Sequence, residues 1–293
     1  MHEINYIDKS FNQESASDYS LSLQANARGL IYCICDNISN SIILFRKYRF
    51  DHIILLSDLT RNIGNVFASD NTLRLHFAKV KFLGYTRQST LVPAAFFDED
   101  HRKDYLLFND EGDGEGIIFN NLISPQHLYN IFSLPSELVT QLTGYFNKVE
   151  FLSQATTFLR HISMIPDGLN NPAVYVGINP EFFDIACTVN GKLLLYNTFQ
   201  YTSETDLLYY ILFVYNIMNY KTDKIPLVLS GELSSKLTYL DILKQYITET
   251  RCDQDTVMSL LAPDLRQLNT SRFLNLINVH ACESSADYIK EGR

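Results

Sequence analysis

The sequence is short of the features that mark a membrane protein, a disulfide scaffold or a familiar hydrolase. Its cysteines, Cys33, Cys35, Cys187, Cys252 and Cys282, are odd in number and contain no CxxC pair. A cytoplasmic protein with reduced thiols is the simplest reading of that usage. Long basic runs are missing too: Arg46-Lys47-Tyr48-Arg49 is the densest, and the net charge is −9. Phosphates are held by clustered Lys and Arg, so nonspecific attraction to nucleic acid or to anionic lipid is disfavoured. No integral membrane segment is expected, because the nearest apolar run, Leu207 to Met218, is too short to span a bilayer and holds Tyr209, Tyr210, Tyr215 and Asn216. Met1 to Asp8 lacks a basic start followed by an apolar core and is not read as a secretory signal. A glycine-flanked serine elbow and an HExxH motif are also absent.

What is present reads as a globular protein. The 293 residues are 46% hydrophobic and 13% aromatic, enough to bury a substantial core in two domains or one large one. Residues 1–18 are polar, lack periodicity and are expected to be a loose lead-in. Tyr19 to Gln24 alternates as a half-buried strand does, Ala27-Arg28-Gly29 turns the chain, and strands Leu30 to Asp36 and Ile42 to Phe50 complete a meander. Ser57 is placed to cap a helix through Leu59, Ile63, Val66 and Phe67. Strands are read near Val80 to Tyr85, Ser89 to Pro93, Gly116 to Asn120 and Leu128 to Phe132. Helices are read from His101 to Phe108, from a cap at Ser136 through Phe146, and from Gln154 to Ile165. The prolines and turn formers of Pro166 to Pro172 mark a linker between a first domain, 19–165, and a second, 173–283, with 284–293 as a tail.

The second half repeats the order of the first. Strands Ala173 to Ile178, Phe182 to Val189 and Lys192 to Tyr201 make another meander, with Asn190-Gly191 as a hairpin turn. Ser203 and Asp206 form a capping-box start to a helix reaching Tyr220. Ile225 to Ser230 returns as a strand, a helix runs from Ser235 to Thr248, and a closing strand is expected near Leu276 to Cys282.

Three groups of residues carry a resemblance: Leu91 to Phe97 with Tyr105 to Asn109, Phe182 to Ile185 with Asn190 to Asn197, and Leu207 to Tyr215 with Leu229 to Glu232. In these the chain resembles the domain-of-unknown-function 3822 family of Bacteroidetes, over most of its length from Ser20 to Cys282. The resemblance implies an α/β protein of two tandem actin-like ATPase (ribonuclease H-like) domains, each a mixed sheet that starts with a three-stranded meander and is flanked by helices. It implies no established activity.

That fold carries a nucleotide site in its active members, which gives a set of residues to test. The first hairpin of each domain supplies a carboxylate that holds hydrated magnesium, then a glycine and backbone amides that face the phosphates. The first turn here, Leu23 to Gly29 with Asn26 at its corner, has no acid. In the second, Gly177 stands near the acid's place, Asn179 near the glycine's, and Pro180 removes an amide. The adenosine-side motif keeps one glycine, Gly231, followed by Glu232. No catalytic residue and no metal ligand is assigned. If a nucleotide binds, the cleft candidates are Asn26, Asn179, Asp206, Gly231 and Glu232; Asp184 and Glu204 join Asp206 and Glu232 as the nearest acids for a divergent site with ATP and magnesium.

The other constellations have plainer readings. Asp110 to Gly116 fits an EF-hand poorly, because Asn120 falls where the bidentate glutamate belongs, and it reads as a solvated loop. Cys33 and Cys35 share a strand face with His127, His161 and His280 scattered elsewhere, which favours core thiols over a metal site. Asp98, Glu99, Asp100 and His101 read as a polar turn. The helix from Leu207 to Tyr220 is apolar nearly all round, and a core position is favoured over a shared interface. Together these point to a cytoplasmic, non-catalytic protein that binds another protein or itself. The alternatives are a divergent ATP-binding or kinase-like enzyme, and a membrane-associated scaffold like the actin-fold parts of secretion and pilus machines.

Overall fold

The computed structural model describes residues 2–50, 56–108, 116–165, 171–231, 238–253 and 257–281. The chain divides into two compact units. One comprises Met1–Thr157, Met258–Leu268 and Leu276–Arg293; the other comprises Phe158–Val257 and Asn269–Asn275.

The first unit is built on a six-stranded sheet. Strands β1 (His2–Ile7), β2 (Tyr19–Asn26), β3 (Gly29–Asp36) and β4 (Ser41–Arg49) are followed by helix α1 (Leu56–Ser69) and strand β5 (Lys79–Gly84). With β9 (Glu150–Ser153), a strand the sequence pattern did not reveal, the order is β1-β4-β3-β2-β5-β9. The meander is antiparallel, and β2–β5 and β5–β9 are parallel. The lead-in is not loose: β1 pairs with β4 from His2↔Tyr48 to Ile7↔Leu44, with Ile4 and Tyr6 half-buried between exposed neighbours. Such a weakly apolar alternation is what an edge strand needs and is easily read as coil. Strand β2 is not half-buried either. Ser20, Ser22 and Gln24 are as enclosed as Leu21 and Leu23, so its polar face is covered.

A smaller antiparallel sheet of order β6-β8-β7 is formed by β6 (Ser89–Pro93), β7 (Ile117–Ile123) and β8 (Leu128–Leu134). Helix α2 (Arg102–Phe108) lies between β6 and β7 in sequence and packs Leu106 onto Val92 and Ile131. Helix α3 (Ser136–Tyr145) begins after Pro135 with no side-chain cap, so Ser136 is its first residue and not its cap. Ser57 likewise falls inside α1. Helix α4 (Gln154–Met164) follows β9 directly, earlier than the expected boundary, whose residues 166–170 lie outside the described ones.

In the second unit, β10 (Ala173–Ile178), β11 (Phe182–Val189) and β12 (Lys192–Gln200) form the expected meander. Helix α5 (Glu204–Ile217) leads to β13 (Leu227–Gly231), helix α6 (Thr238–Tyr246) and a short β14 (Thr250–Cys252), in sheet order β12-β11-β10-β13-β14. The capping box is real: Ser203 Oγ accepts from the Asp206 N–H, and Asp206 accepts from the Ser203 N–H. Leu207, Ile211, Val214 and Tyr215 of α5 pack with Val176, Phe183, Ile185 and Leu229 of the sheet. Its opposite face leaves Tyr209 61%, Phe213 41% and Ile217 55% exposed. The helix is therefore core on one side and apolar surface on the other.

The closing element is a helix, α7 (Leu274–Ala281), where a strand was expected. Leu274, Leu276, Ile277 and Val279 are buried, and so are the polar Asn275 and Asn278, so the segment is enclosed on nearly every side and has no buried/exposed period that separates strand from helix. The 3-10 turn Thr270–Phe273 runs straight into it, with Leu274 already in the helical αR region. Residues 258–268 and 276–281 also group with the first unit and not the second. Leu261 bridges Ile42, Ala262 N–H donates to Ile42 O, and Lys81 Nζ donates to Val279 O at 3.2 Å.

Candidate functional site

In the second unit the turn between β10 and β11 is the place to look, because three strands end beside it. Register puts Gly177 opposite Asp184 on β11 and beside Ser230 on β13, and Ile178 beside Gly231. Gly231 has φ +91, and a Cβ there would lie 2.1 Å from Ile178 O, so only glycine lets β13 end this close to the turn. Glu232 lies outside the described residues.

The side chains at this turn form a closed polar knot. Asp184 is fully buried and accepts from Tyr196 Oη at 2.7 Å, Thr198 Oγ1 at 2.8 Å and Asn179 Nδ2 at 3.1 Å. The Asn179 N–H is spent on Phe182 O at 2.9 Å, its carbonyl accepts from Tyr201 Oη at 2.7 Å, and Pro180 has no N–H. A Cβ on Gly177 would meet the buried ring of Phe158 at 3.1 Å. An acid at 177 would have to displace that ring. The carboxylate of this turn instead stands one strand over, in Asp184. Asp184 is one of the four acids named from the sequence for a divergent site, and alternation along β11 puts it on the face opposite Phe183 and Ile185.

The remaining candidates have structural tasks of their own. Asp206 is exposed and caps α5, accepting from Thr202 N–H, Thr202 Oγ1 and Ser203 N–H, which hold its carboxyl below the usual range. Glu204 occupies the same first turn. In the first unit Asn26 ends β2 and its Oδ1 accepts from the Arg28 N–H at 2.9 Å, so this turn's amide is also engaged. A Cβ on Gly29, which closes this turn, would lie 2.1 Å from Tyr48 O.

Other polar clusters are buried. In the first unit, Asp70 accepts from Tyr32 Oη, Tyr48 Oη, Arg46 Nη1 and Thr72 N–H. Burial pushes its carboxyl upward, but the two phenols and the guanidinium outweigh burial and hold it below the ordinary value. Burial, then Asp70, pushes the Tyr48 phenol up to about 12. Asn121, Asn130, Ser153 and Thr156 tie β7 and β8 to the β9–α4 junction. In the second unit His161 Nε2 lies 2.7 Å from Asp253 Oδ2, both buried, a pair 92 residues apart in the chain that no linear pattern joins. The thiols of Cys33 and Cys35 are buried, and burial pushes Cys35 up to about 12. Asp98 caps a 3-10 turn and pairs with His101 at 3.1 Å in the open, as a polar turn should. Residues 109–115, read from the sequence as a solvated loop, lie outside the described residues. Among the described residues no three His, Cys, Asp or Glu side chains are grouped to hold a metal, and no helix is long and apolar enough to cross a membrane.

A family model described as protein of unknown function (DUF3822) matches residues 8–250. The chain belongs to this family. Among solved structures, the family member is similar to a Bacteroides thetaiotaomicron protein with actin-like ATPase fold and unknown function, at 22% identity and a TM-score of 0.80, covering 93% of this chain and 99% of that one. It is also similar to a chain of a PilM-PilN type IV pilus biogenesis complex, at 9% identity and a TM-score of 0.63, covering 90% of this chain and 99% of the other. The fold of this family member is thus actin-like, with mixed sheets that each contain a three-stranded meander. No curated protein matches the chain.

Proposed function

We propose that this protein is a non-catalytic actin-fold protein of the cytoplasm that works by binding another protein or a second copy of itself, with a degenerate nucleotide site. The observation that carries the reading is the state of Asp184. A magnesium-bound nucleotide needs a carboxylate that reaches the ion's water shell and amides that face the phosphates. Asp184 is enclosed, with its two oxygens occupied by Asn179, Tyr196 and Thr198. Of the turn's amides, that of Asn179 is engaged and Pro180 has none. The residues present therefore do not fit ATP and magnesium. Likeness in fold to the PilM-PilN complex supports a role in an assembly, by analogy of fold alone.

The test is calorimetric titration of the full chain with ATP and magnesium, run beside a hydrolysis assay. The expected result is no heat of binding and no phosphate release above buffer. Hydrolysis at an enzyme-like rate, abolished by Asp184→Asn, would overturn the reading in favour of a divergent ATPase. That second reading has one observation in its favour, the placement of Asp184 directly across from Gly177.

A further inference from the structure

We infer that the outer side of α2, with the turn that follows β6, is a docking surface for a short, basic and apolar peptide segment of a partner protein. The inference rests on the reading of the chain as a binding protein, and it names the surface and the chemistry of the partner. Helix α2 spends one side on the small sheet, where Leu106 is buried against Val92 and Ile131 and Tyr105 packs on the same cluster. Its last turn then leaves Leu107 exposed and Phe108 87% exposed, on the side where a surface helix ordinarily carries polar residues. Phe96, 74% exposed, stands in the 3-10 turn Ala94–Phe96. Tyr105 links the two positions: its Oη donates to Phe96 O at 2.7 Å, and it lies one helical turn before Phe108. Phe97 stacks on Tyr129 at 3.9 Å and lies nearly parallel to Tyr105 at 6.4 Å, so the exposed rings rise from a packed aromatic base. A base of that kind reduces the ordering cost of binding.

Area selects the kind of occupant. An aromatic side chain presents roughly 150–250 Å², so Phe96 and Phe108 together leave about 300 Å² in water, the size at which an exposed patch on a monomer marks an interaction site. A second folded chain needs about 800 Å² per partner. A short peptide that lays a few side chains on the rings does not.

Charge selects the composition of that peptide. Asp104 precedes Phe108 by four residues on α2 and shares its side of the helix, and Asp98, Glu99 and Asp100 come directly after Phe97 in the chain. Asp98 pairs with His101 and Glu99 with Arg102, whereas Asp100 and Asp104 enter no ion pair among the described residues, with Lys103 as the opposing charge. From Asp98 to Glu115 the sequence holds eight acids and two bases, which is most of the chain's net charge of −9. A Lys or Arg of the partner meets both features at once, because its methylene stem can lie along a ring while its charged end reaches a carboxylate. An anionic lipid surface is repelled by the same charge.

The test is fluorescence anisotropy of a labelled peptide of alternating Leu and Lys, titrated with the full chain beside a Leu-Glu counterpart. The Leu-Lys peptide should bind saturably and more weakly as salt rises, and the Leu-Glu peptide should not bind. Phe96→Ser and Phe108→Ser should each weaken binding by about tenfold or more, with an unchanged far-UV circular dichroism melt, because both side chains are exposed. Asp104→Lys should weaken the Leu-Lys peptide and admit the Leu-Glu one, an exchange that a merely adhesive surface does not show. Absence of saturable binding overturns the inference. So does binding indifferent to the two ring substitutions, or equal binding of both peptides by the wild type. Phe108-dependent sedimentation with phosphatidylglycerol vesicles, without peptide binding, would overturn it in favour of a membrane surface. The nucleotide assays decide separately: a chain that binds the peptide and hydrolyses ATP would refute the non-catalytic reading and leave this surface standing.

Discussion

Replacing Asp70 by Asn tests the ion pair between Asp70 and Arg46 in the first unit. The Asp70 side chain is 3% exposed and that of its partner Arg46 16%, with 2.8 Å between Nη1 and Oδ1. Asn keeps the shape but removes the negative charge, leaving the half-buried Arg46 against a neutral group and the hydroxyls of Tyr32 and Tyr48 competing for a weaker acceptor. Breaking one side of a buried pair costs about 3–5 kcal/mol, or roughly 10 °C in melting temperature for a unit of this size. Urea denaturation followed by far-UV circular dichroism and tyrosine fluorescence reads it directly. The pH dependence supplies an internal control. Because the folded carboxyl is held below its ordinary value, its contribution is fully present above the unfolded pKa of about 3.9 and is lost as pH falls through the folded value. The gap between wild type and Asp70→Asn should therefore be constant from neutral pH to about 5 and narrow below about 4. A loss under about 1 kcal/mol at pH 7 would refute the assignment, as would a gap that does not narrow on acidification.

Three further substitutions probe the second unit by the same denaturation assay. Gly231→Ala places a Cβ against Ile178 O at positive φ and should cost at least about 2 kcal/mol; a neutral result would mean β13 does not end against the turn. Ser203→Ala removes half of the capping box of α5 and should cost about 1 kcal/mol, with Ser203→Thr close to wild type. Gly177→Asp forces a carboxylate against the Phe158 ring and should cost several kcal/mol, roughly 3 or more; Phe158→Ala in the same chain should restore part of that loss, and simple additivity of the two would show that the ring does not fill the acid's place.

The fold was legible where period, cap and turn agreed. In the second unit Asn190 and Gly191, both at positive φ, close the β11–β12 hairpin, and Ser203 with Asp206 start α5 where the capping box said. Legibility failed where one signal was missing. Strand β9 is four residues long, too short to show alternation. Strand β1 shows only Ile4 and Tyr6 half-buried, and α7 buries its polar Asn275 and Asn278 along with its apolar residues. The return of residues 258–268 to the first unit rests on backbone contacts at Ile42 and on Asp264 N–H donating to Asp8. Backbone donors and acceptors are the same at every residue, so no composition shift announces such a contact.

The site shows what a linear motif omits. Searching for an acid on the first strand of a hairpin finds Gly177 and stops, because the motif is defined along one strand. The chemistry, however, depends on which side chains share a face across strands, and antiparallel pairing puts Asp184 in the cross-strand position from Gly177. That acid's environment then decides its use. Asn179, Tyr196 and Thr198 are neutral donors that stabilise a carboxylate in place by hydrogen bonding. If the knot exists to hold the turn closed, replacing Asp184 by Ala leaves two hydroxyls and an amide without their acceptor, at about 1–3 kcal/mol for each group that stays buried. Asp184→Ala should then lower the melting temperature sharply while changing nucleotide affinity not at all. A stable Asp184→Ala variant that lost a measurable ATP affinity of the wild type would show the reverse, a carboxylate kept for a ligand and not for the turn.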